Sequence, residues 1–142
     1  MTSDQKFIVY FIIKILVYSF WCARGIGIDG TAPTVQRSIF LGLLRTAIGL
    51  ILGALVWVFL STWIGTPGFF KNWVHSLLVF IPVRWLEWGL IELAITRSIE
   101  PNSLLFGASG KFRLWRLGGI VISYVSDAYL LFGGATLPFR LC

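Results

Sequence analysis

Residues 72–97 are long and apolar enough to cross a membrane, yet they contain three ionisable side chains. The segment reads NWVHSLLVFIPVRWLEWGLIELAITR, and Arg84, Glu87 and Glu92 lie well inside it. An ionised side chain near the middle of a membrane helix costs at least about 2.5 kcal/mol on insertion scales, so each needs a partner, a water-filled cavity or a neutral state. A chain that contains such a helix must fold around a polar centre.

The composition favours a membrane protein over a soluble one. Hydrophobic residues make up 57% of the 142 residues and charged residues 13%, whereas soluble proteins carry roughly 25% charged residues. The net charge of +6 is interpreted as a topology signal and an attraction to anionic lipid. Nucleic acid is not an expected partner, because no basic patch with interleaved aromatic residues lies outside the apolar segments.

Four apolar segments predict an all-α fold, a polytopic bundle of four transmembrane helices in one membrane domain of residues 1–142. The predicted spans are about 7–23, 38–64, 73–97 and 117–137. About 17 to 25 apolar residues are needed to cross the hydrocarbon core as a helix. Residues 98–116 are predicted to be a basic loop on the membrane surface, where Lys111, Arg113 and Arg116 face anionic lipid.

The distribution of basic residues predicts the orientation. One side of the membrane would hold six basic residues, which are Arg24, Arg37, Arg97, Lys111, Arg113 and Arg116. The other side, which also holds both termini, would have three, which are Lys6, Lys71 and Arg140. By the positive-inside rule the six-charge side is cytoplasmic, so both termini are non-cytoplasmic. The expected location is a bacterial inner (plasma) membrane.

The other three segments supply candidate partners for the charges of residues 72–97. These partners are Lys14, Arg45 and Asp127, so three cations balance three anions within the predicted spans. At 100° per residue, the three charges of the third span fall within an arc of roughly 140° and can share one interior face. Glu87 is the expected partner of Arg84, and Trp88 could stack on the Arg84 guanidinium.

This polar centre predicts a relay for protons or ions. Arg84, Glu87, Glu92 and Asp127 would line it, with Lys14 and Arg45 as supporting charges. Burial favours the protonated form of a carboxylate, and Glu92 and Asp127 are the best candidates to load and release a proton. The alternative is a purely structural ion-pair network that holds four short helices in register.

Several other motifs have simple explanations. Gly49 and Gly53 form a GxxxG pattern that favours close helix packing, whereas the glycines of residues 25–30 lack the strand that a dinucleotide fold requires. A single histidine, His75, does not make a metal site. Cys22 and Cys142 are predicted to lie on opposite sides of the membrane. No cofactor is expected.

Three functions remain open at this point. The leading hypothesis is a small transport or channel protein, expected to be a homo-oligomer. The second is a non-catalytic subunit or assembly factor of a larger membrane complex, whose charges would pair between chains. The third is an enzyme acting on lipid-linked substrates, with its acid and base among Glu87, Glu92 and Asp127 and with Arg84 holding a phosphate. No recognised motif supports an enzyme.

Overall fold

The computed structural model describes residues 3–63, 73–97 and 101–132 of the chain. The regular structure in these ranges consists of five helices, α1 Ser3–Ile28, α2 Val35–Trp63, α3 Trp73–Thr96, α4 Pro101–Phe106 and α5 Gly110–Phe132. The all-α prediction is confirmed over the described residues.

The four long helices run alternately up and down. Low residue numbers on one helix meet high numbers on its neighbour at each of three interfaces, which makes each of these pairs antiparallel. The pairs that fix these directions are Lys14–Asp127 and Trp21–Trp115 for α1 and α5, Arg37–Ile95 and Arg45–Glu87 for α2 and α3, and Arg84–Asp127 and Glu92–Arg116 for α3 and α5. Since α1 also packs along α2, the helices enclose a common interior.

The fourth long helix begins earlier than its apolar segment suggests. Residues 101–106 form α4, Gly107 follows in the left-handed conformation with φ 79°, and α5 starts at Gly110. The Ser109 hydroxyl accepts the Phe112 N–H at 3.3 Å, and the Ser109 carbonyl accepts the Arg113 N–H at 3.0 Å. Ser109 thus caps the N-terminus of α5, and the predicted basic loop is largely helical.

This early start changes the surroundings of the basic residues. Lys111 and Arg113 are exposed on the first turn of α5, whereas Arg116 is completely buried. The prediction that Arg116 faces lipid is therefore wrong. Its position on α5 turns the side chain towards α3 and α4 instead of outward.

Two helices are long and apolar enough to cross a membrane by their length and composition, over Gln5–Ile28 in α1 and Val35–Val56 in α2. The predicted number of spans was four. The helices α3 and α5 carry the interior charges Arg84, Glu87, Glu92, Arg116 and Asp127.

Candidate functional site

The charges inside the helices form three separate groups, and the first surrounds Asp127 of α5. Oδ1 of Asp127 accepts hydrogen bonds from Lys14 Nζ at 2.8 Å and from the Tyr10 hydroxyl at 2.6 Å. Oδ2 accepts one from Arg84 Nη2. The Lys14 ammonium also donates to the Tyr10 oxygen at 2.6 Å. One carboxylate therefore serves two cations that come from two different helices.

The Arg84 guanidinium is only partly satisfied. Its centre lies 4.0 Å from the centroid of the Tyr124 ring, within the range of a cation–π contact. Within the described part of the chain, its Nε and Nη1 have no hydrogen-bond partner although both atoms are buried. Buried donors of this kind are rare in native proteins, so this group has unused capacity for a hydrogen-bond acceptor.

The second group is a pair between α2 and α3. Arg45 Nη2 donates to Glu87 Oε2, and both side chains are almost completely buried. The Arg45 guanidinium lies 5.1 Å from the Tyr18 ring centroid and 4.9 Å from that of Trp88. The aromatic rings shield this pair, and cation–π attraction adds to its stability.

Two expectations about this group are wrong. Glu87 pairs with Arg45 and not with Arg84, and Trp88 lies against the Arg45 guanidinium and not against that of Arg84. The reason is that Arg84 and Glu87 are three residues apart on α3 and reach towards different neighbouring helices. Arg84 reaches α5, and Glu87 reaches α2.

The third group joins α3, α4 and α5. Glu92 Oε2 accepts the Arg116 Nε–H at 2.6 Å, and Glu92 Oε1 accepts the Ala108 backbone N–H at 2.6 Å. Arg116 also donates to the carbonyls of Ser103 at 2.5 Å and Leu104 at 2.6 Å. A helix C-terminus leaves carbonyls without helical partners. Arg116 satisfies that of Leu104 and shares that of Ser103 with the Gly107 N–H, while it neutralises Glu92.

Arg116 was missed as an interior residue because hydropathy assigned it to the basic surface loop of residues 98–116. The sequence did contain a pointer to it. Ser109 precedes a helix-compatible run and is a favourable N-cap residue, which would have moved the predicted start of the last helix back to residue 110. Arg116 would then have fallen inside that helix.

The three groups follow one another along α3. Arg84 and Glu92 are eight residues apart, or roughly 12 Å at 1.5 Å per residue, with Glu87 between them. The structure thus brings all six sequence-predicted charges, Arg84, Glu87, Glu92, Asp127, Lys14 and Arg45, into the interior together with Arg116. They form separate groups along the bundle and not one shared cluster.

Other candidates lie apart from these groups. Gly49 and Gly53 are buried on α2, and Cys22 is buried with a free thiol. The side chain of His75 and the residue Cys142 lie outside the described residues. In the part of the chain that the structure describes, no group of three His, Cys, Asp or Glu side chains is arranged to hold a metal ion.

The fold and its interior define a small all-helical protein with buried ion pairs at three levels. No protein-family model, curated protein or solved structure matches the chain.

Proposed function

We propose that the protein is an integral membrane protein whose four long helices all cross the bilayer, and that it transports a small ion or proton by way of Asp127. The distribution of polar and apolar side chains supports the membrane assignment. The accessibility of Asp127 supports the transport function.

The exposed surface is apolar and the interior is charged. Arg45, Glu87, Glu92 and Arg116 are essentially inaccessible. Large apolar side chains are exposed on all four long helices, among them Ile8, Ile12, Leu16 and Phe20 on α1, Phe40, Leu43, Ile51, Leu55 and Phe59 on α2, Ile81, Leu86 and Leu90 on α3, and Leu114, Leu117, Val121 and Val125 on α5. A continuous apolar surface of this kind is unfavourable in water and favourable in hydrocarbon, where interior charges are expected to face protein.

The two ends of the bundle differ in charge, which supports an orientation. The end formed by the last turns of α1 and α3 and the first turns of α2 and α5 carries Arg24, Arg37, Arg97, Lys111 and Arg113. We assign this cationic end to the cytoplasmic face by the positive-inside rule. Lys111 and Arg113 would meet anionic headgroups there, with the exposed Leu114 beside them reaching the acyl chains. Both termini would then lie on the opposite face, and the bacterial inner membrane remains the proposed location.

Asp127 is the observation that carries the transport proposal. Its side chain is 19% exposed, whereas those of Glu87 and Glu92 are 1% and 0% exposed. Of these three carboxylates it is the one with an exposed fraction, and we take this as its route for exchange of a proton or an ion with the outside. Tyr10 and Lys14, which both bond to its Oδ1, provide a short hydrogen-bonded path into the interior.

The geometry gives less support to a subunit of a larger complex. That hypothesis relied on charges that pair between chains, whereas each interior carboxylate pairs with a cation of its own chain. Likewise, Gly49 and Gly53 are buried in the monomer, so they do not offer a face for a second copy. A homo-oligomer would have to form through the exposed apolar faces, and native mass spectrometry in mild detergent would reveal it.

A flux assay in sealed proteoliposomes tests the transport function. With an imposed ion gradient and an internal pH dye, the wild-type protein should give a flux that Asp127→Asn abolishes. Because this substitution leaves Lys14 and Arg84 without their carboxylate and should lower the stability, the comparison is made at a temperature at which circular dichroism shows the variant to be folded. Asp29→Asn is the matched control, because Asp29 is an exposed acid at the cationic end and should not affect flux. Full flux from Asp127→Asn, or no flux from the wild-type protein under any gradient, would refute the proposal.

A further inference from the structure

We infer that the group around Asp127 contains a binding site for one small monovalent anion, held by Arg84 and Lys14. This goes beyond the proposed function, in which Asp127 itself exchanges the transported proton or ion, and it does not rest on that function. The binding itself follows from charge and from unused hydrogen-bond donors.

The charges of the group around Asp127 do not balance. Lys14 and Arg84 are 6% and 5% exposed, and the only carboxylate bonded to either of them among the described residues is that of Asp127. Within the described part of the chain, the group therefore carries one excess positive charge in a poorly solvated place. An excess buried charge is unfavourable unless a counter-charge accompanies it.

The other two groups have no such excess. Arg45 pairs with Glu87 and Arg116 pairs with Glu92, one cation to one anion in each case. Each nitrogen of Arg116 has a partner, which is the Glu92 carboxylate for Nε and carbonyls of α4 for Nη1 and Nη2. In the pair of Arg45 and Glu87, Arg45 Nε and Glu87 Oε1 are each buried without a partner among the described residues, but the two charges of the pair balance. The unbalanced charge is thus confined to the group that contains Arg84.

The Arg84 guanidinium has hydrogen-bond donors that are not used within the described residues. Its Nε and Nη1 are buried and unpartnered within the described residues, while Nη2 is bonded to Asp127. The N–H groups of a guanidinium point outward in its plane, so a ligand that accepts hydrogen bonds from Nε and Nη1 would approach in that plane. A small anion accepts such hydrogen bonds and supplies the missing negative charge in one step.

An anion can reach this group from the side of Asp127. Asp127 is the least buried member of the group, so the anion would enter beside this carboxylate. The carboxylate and the anion then compete for the same two cations. This competition makes a clear prediction, since removal of the Asp127 charge should strengthen anion binding.

The test is thermal unfolding of the purified protein in nanodiscs of zwitterionic lipid at constant ionic strength. Gluconate is replaced stepwise by chloride, and in a second series by nitrate. A ligand that binds only the folded state raises the unfolding midpoint in a saturable way. The wild-type protein should show a saturable rise, and Asp127→Asn should lower the half-saturating concentration by roughly tenfold or more, as expected when a competing buried charge is removed.

Arg84→Gln should lose the saturable rise. Arg37→Gln is the control for effects of salt on surface charge, because Arg37 lies at the cationic end and donates to the Ile95 carbonyl, and it should retain the wild-type response. If Arg84→Gln does not fold, the change in half-saturation of Asp127→Asn still decides the question.

The proposal is overturned if neither the wild-type protein nor Asp127→Asn responds saturably. It is also overturned if Arg84→Gln responds like the wild-type protein. Since this assay involves no flux, anion binding without transport would refute only the proposed function. Transport without anion binding would refute only this inference.

Discussion

Trp21 of α1 and Trp115 of α5 each donate the indole N–H to the backbone carbonyl of the other residue, and both hydrogen bonds are 2.9 Å long. The two bonds connect the first and the last long helix at the cationic end of the bundle. Helix carbonyls in a membrane have few competing partners outside the helix, because no water is present in the hydrocarbon region. The reciprocal pair therefore fixes the register of α1 against α5, which in turn places Lys14 opposite Asp127.

We expect the two tryptophans to be energetically coupled. Trp21→Phe and Trp115→Phe should each reduce the free energy of unfolding by about 1 kcal/mol, the usual scale for a hydrogen bond between membrane helices. The double variant should lose less stability than the sum of the two single losses, by at least about 0.5 kcal/mol, because loss of either hydrogen bond loosens the other. Reversible unfolding in mixed micelles measures this cycle.

Trp85→Phe is the control for this cycle. Its indole donates to the Leu105 carbonyl at 2.7 Å, so it loses a comparable hydrogen bond at a different interface. Its effect should add to that of Trp21→Phe. Strict additivity of the Trp21 and Trp115 substitutions would show that the reciprocal bonds act independently.

The clasp formed by Glu92, Arg116 and the carbonyls of α4 should be structurally essential. Glu92→Gln leaves Arg116 without a counter-charge and should lower the free energy of unfolding by about 3–5 kcal/mol. This is the usual penalty when one partner of a buried ion pair is removed. Faster hydrogen exchange at α4 and at the Ala108 amide should accompany the loss. Unfolding measurements and exchange mass spectrometry would detect both effects.

A double variant separates charge from packing in this clasp. Glu92→Gln combined with Arg116→Met removes both charges and should recover much of the stability that Glu92→Gln alone loses, since no unpaired ion remains. If Glu92→Gln alone cost less than about 1 kcal/mol, the clasp would not be the structural element that its contacts indicate.

Gly119 should not tolerate a side chain. A Cβ atom at this position would lie 2.5–2.8 Å from three atoms of the Trp88 ring, and Trp88 is completely buried with Tyr18 and Trp115 packed against it edge to face. Gly119→Ala should therefore cost about 1–3 kcal/mol, the usual range for overpacking, and should change the near-UV circular dichroism of the tryptophans.

Gly27→Ala is the matched control. A Cβ atom at Gly27 of α1 meets no atom within 4 Å, and alanine favours the helix by about 1 kcal/mol relative to glycine. This variant should be neutral or slightly more stable. Equal effects of the two substitutions would contradict the close approach of α5 to Trp88.

The sequence predicted the helices and the identity of the interior charges better than their pairing. Apolar segments of sufficient length predict helices in lipid because no other open structure satisfies its backbone there, and Arg84, Glu87, Glu92, Asp127, Lys14 and Arg45 all lie inside as expected. Periodicity on α3 correctly placed its charges inside. It could not determine which neighbouring helix each one reaches, since that depends on the rotation and register of the other helices.

Arg116 shows why helix boundaries matter for such predictions. Hydropathy alone excluded residues 110–116 from the last span, because Lys111, Arg113 and Arg116 interrupt the apolar run. Capping by Ser109 extends the helix over them. A basic residue on this part of the helix can then either be exposed or pair with an interior carboxylate. Arg116 does the second because α3 and α4 pack against its side of α5.

The orientation of the bundle can be tested by labelling single cysteines in a chain with Cys142 replaced by Ser. Cys22 is completely buried and should not react with a membrane-impermeant maleimide. Ser109→Cys lies at the cationic end and Thr62→Cys near the other end of α2, and both positions are exposed. In sealed right-side-out vesicles Thr62→Cys should react at once, and Ser109→Cys only after permeabilisation, because the positive-inside rule places the cationic end in the cytoplasm. The reverse pattern would invert the proposed topology, and reaction of both positions in sealed vesicles would show that the long helices do not all cross the membrane.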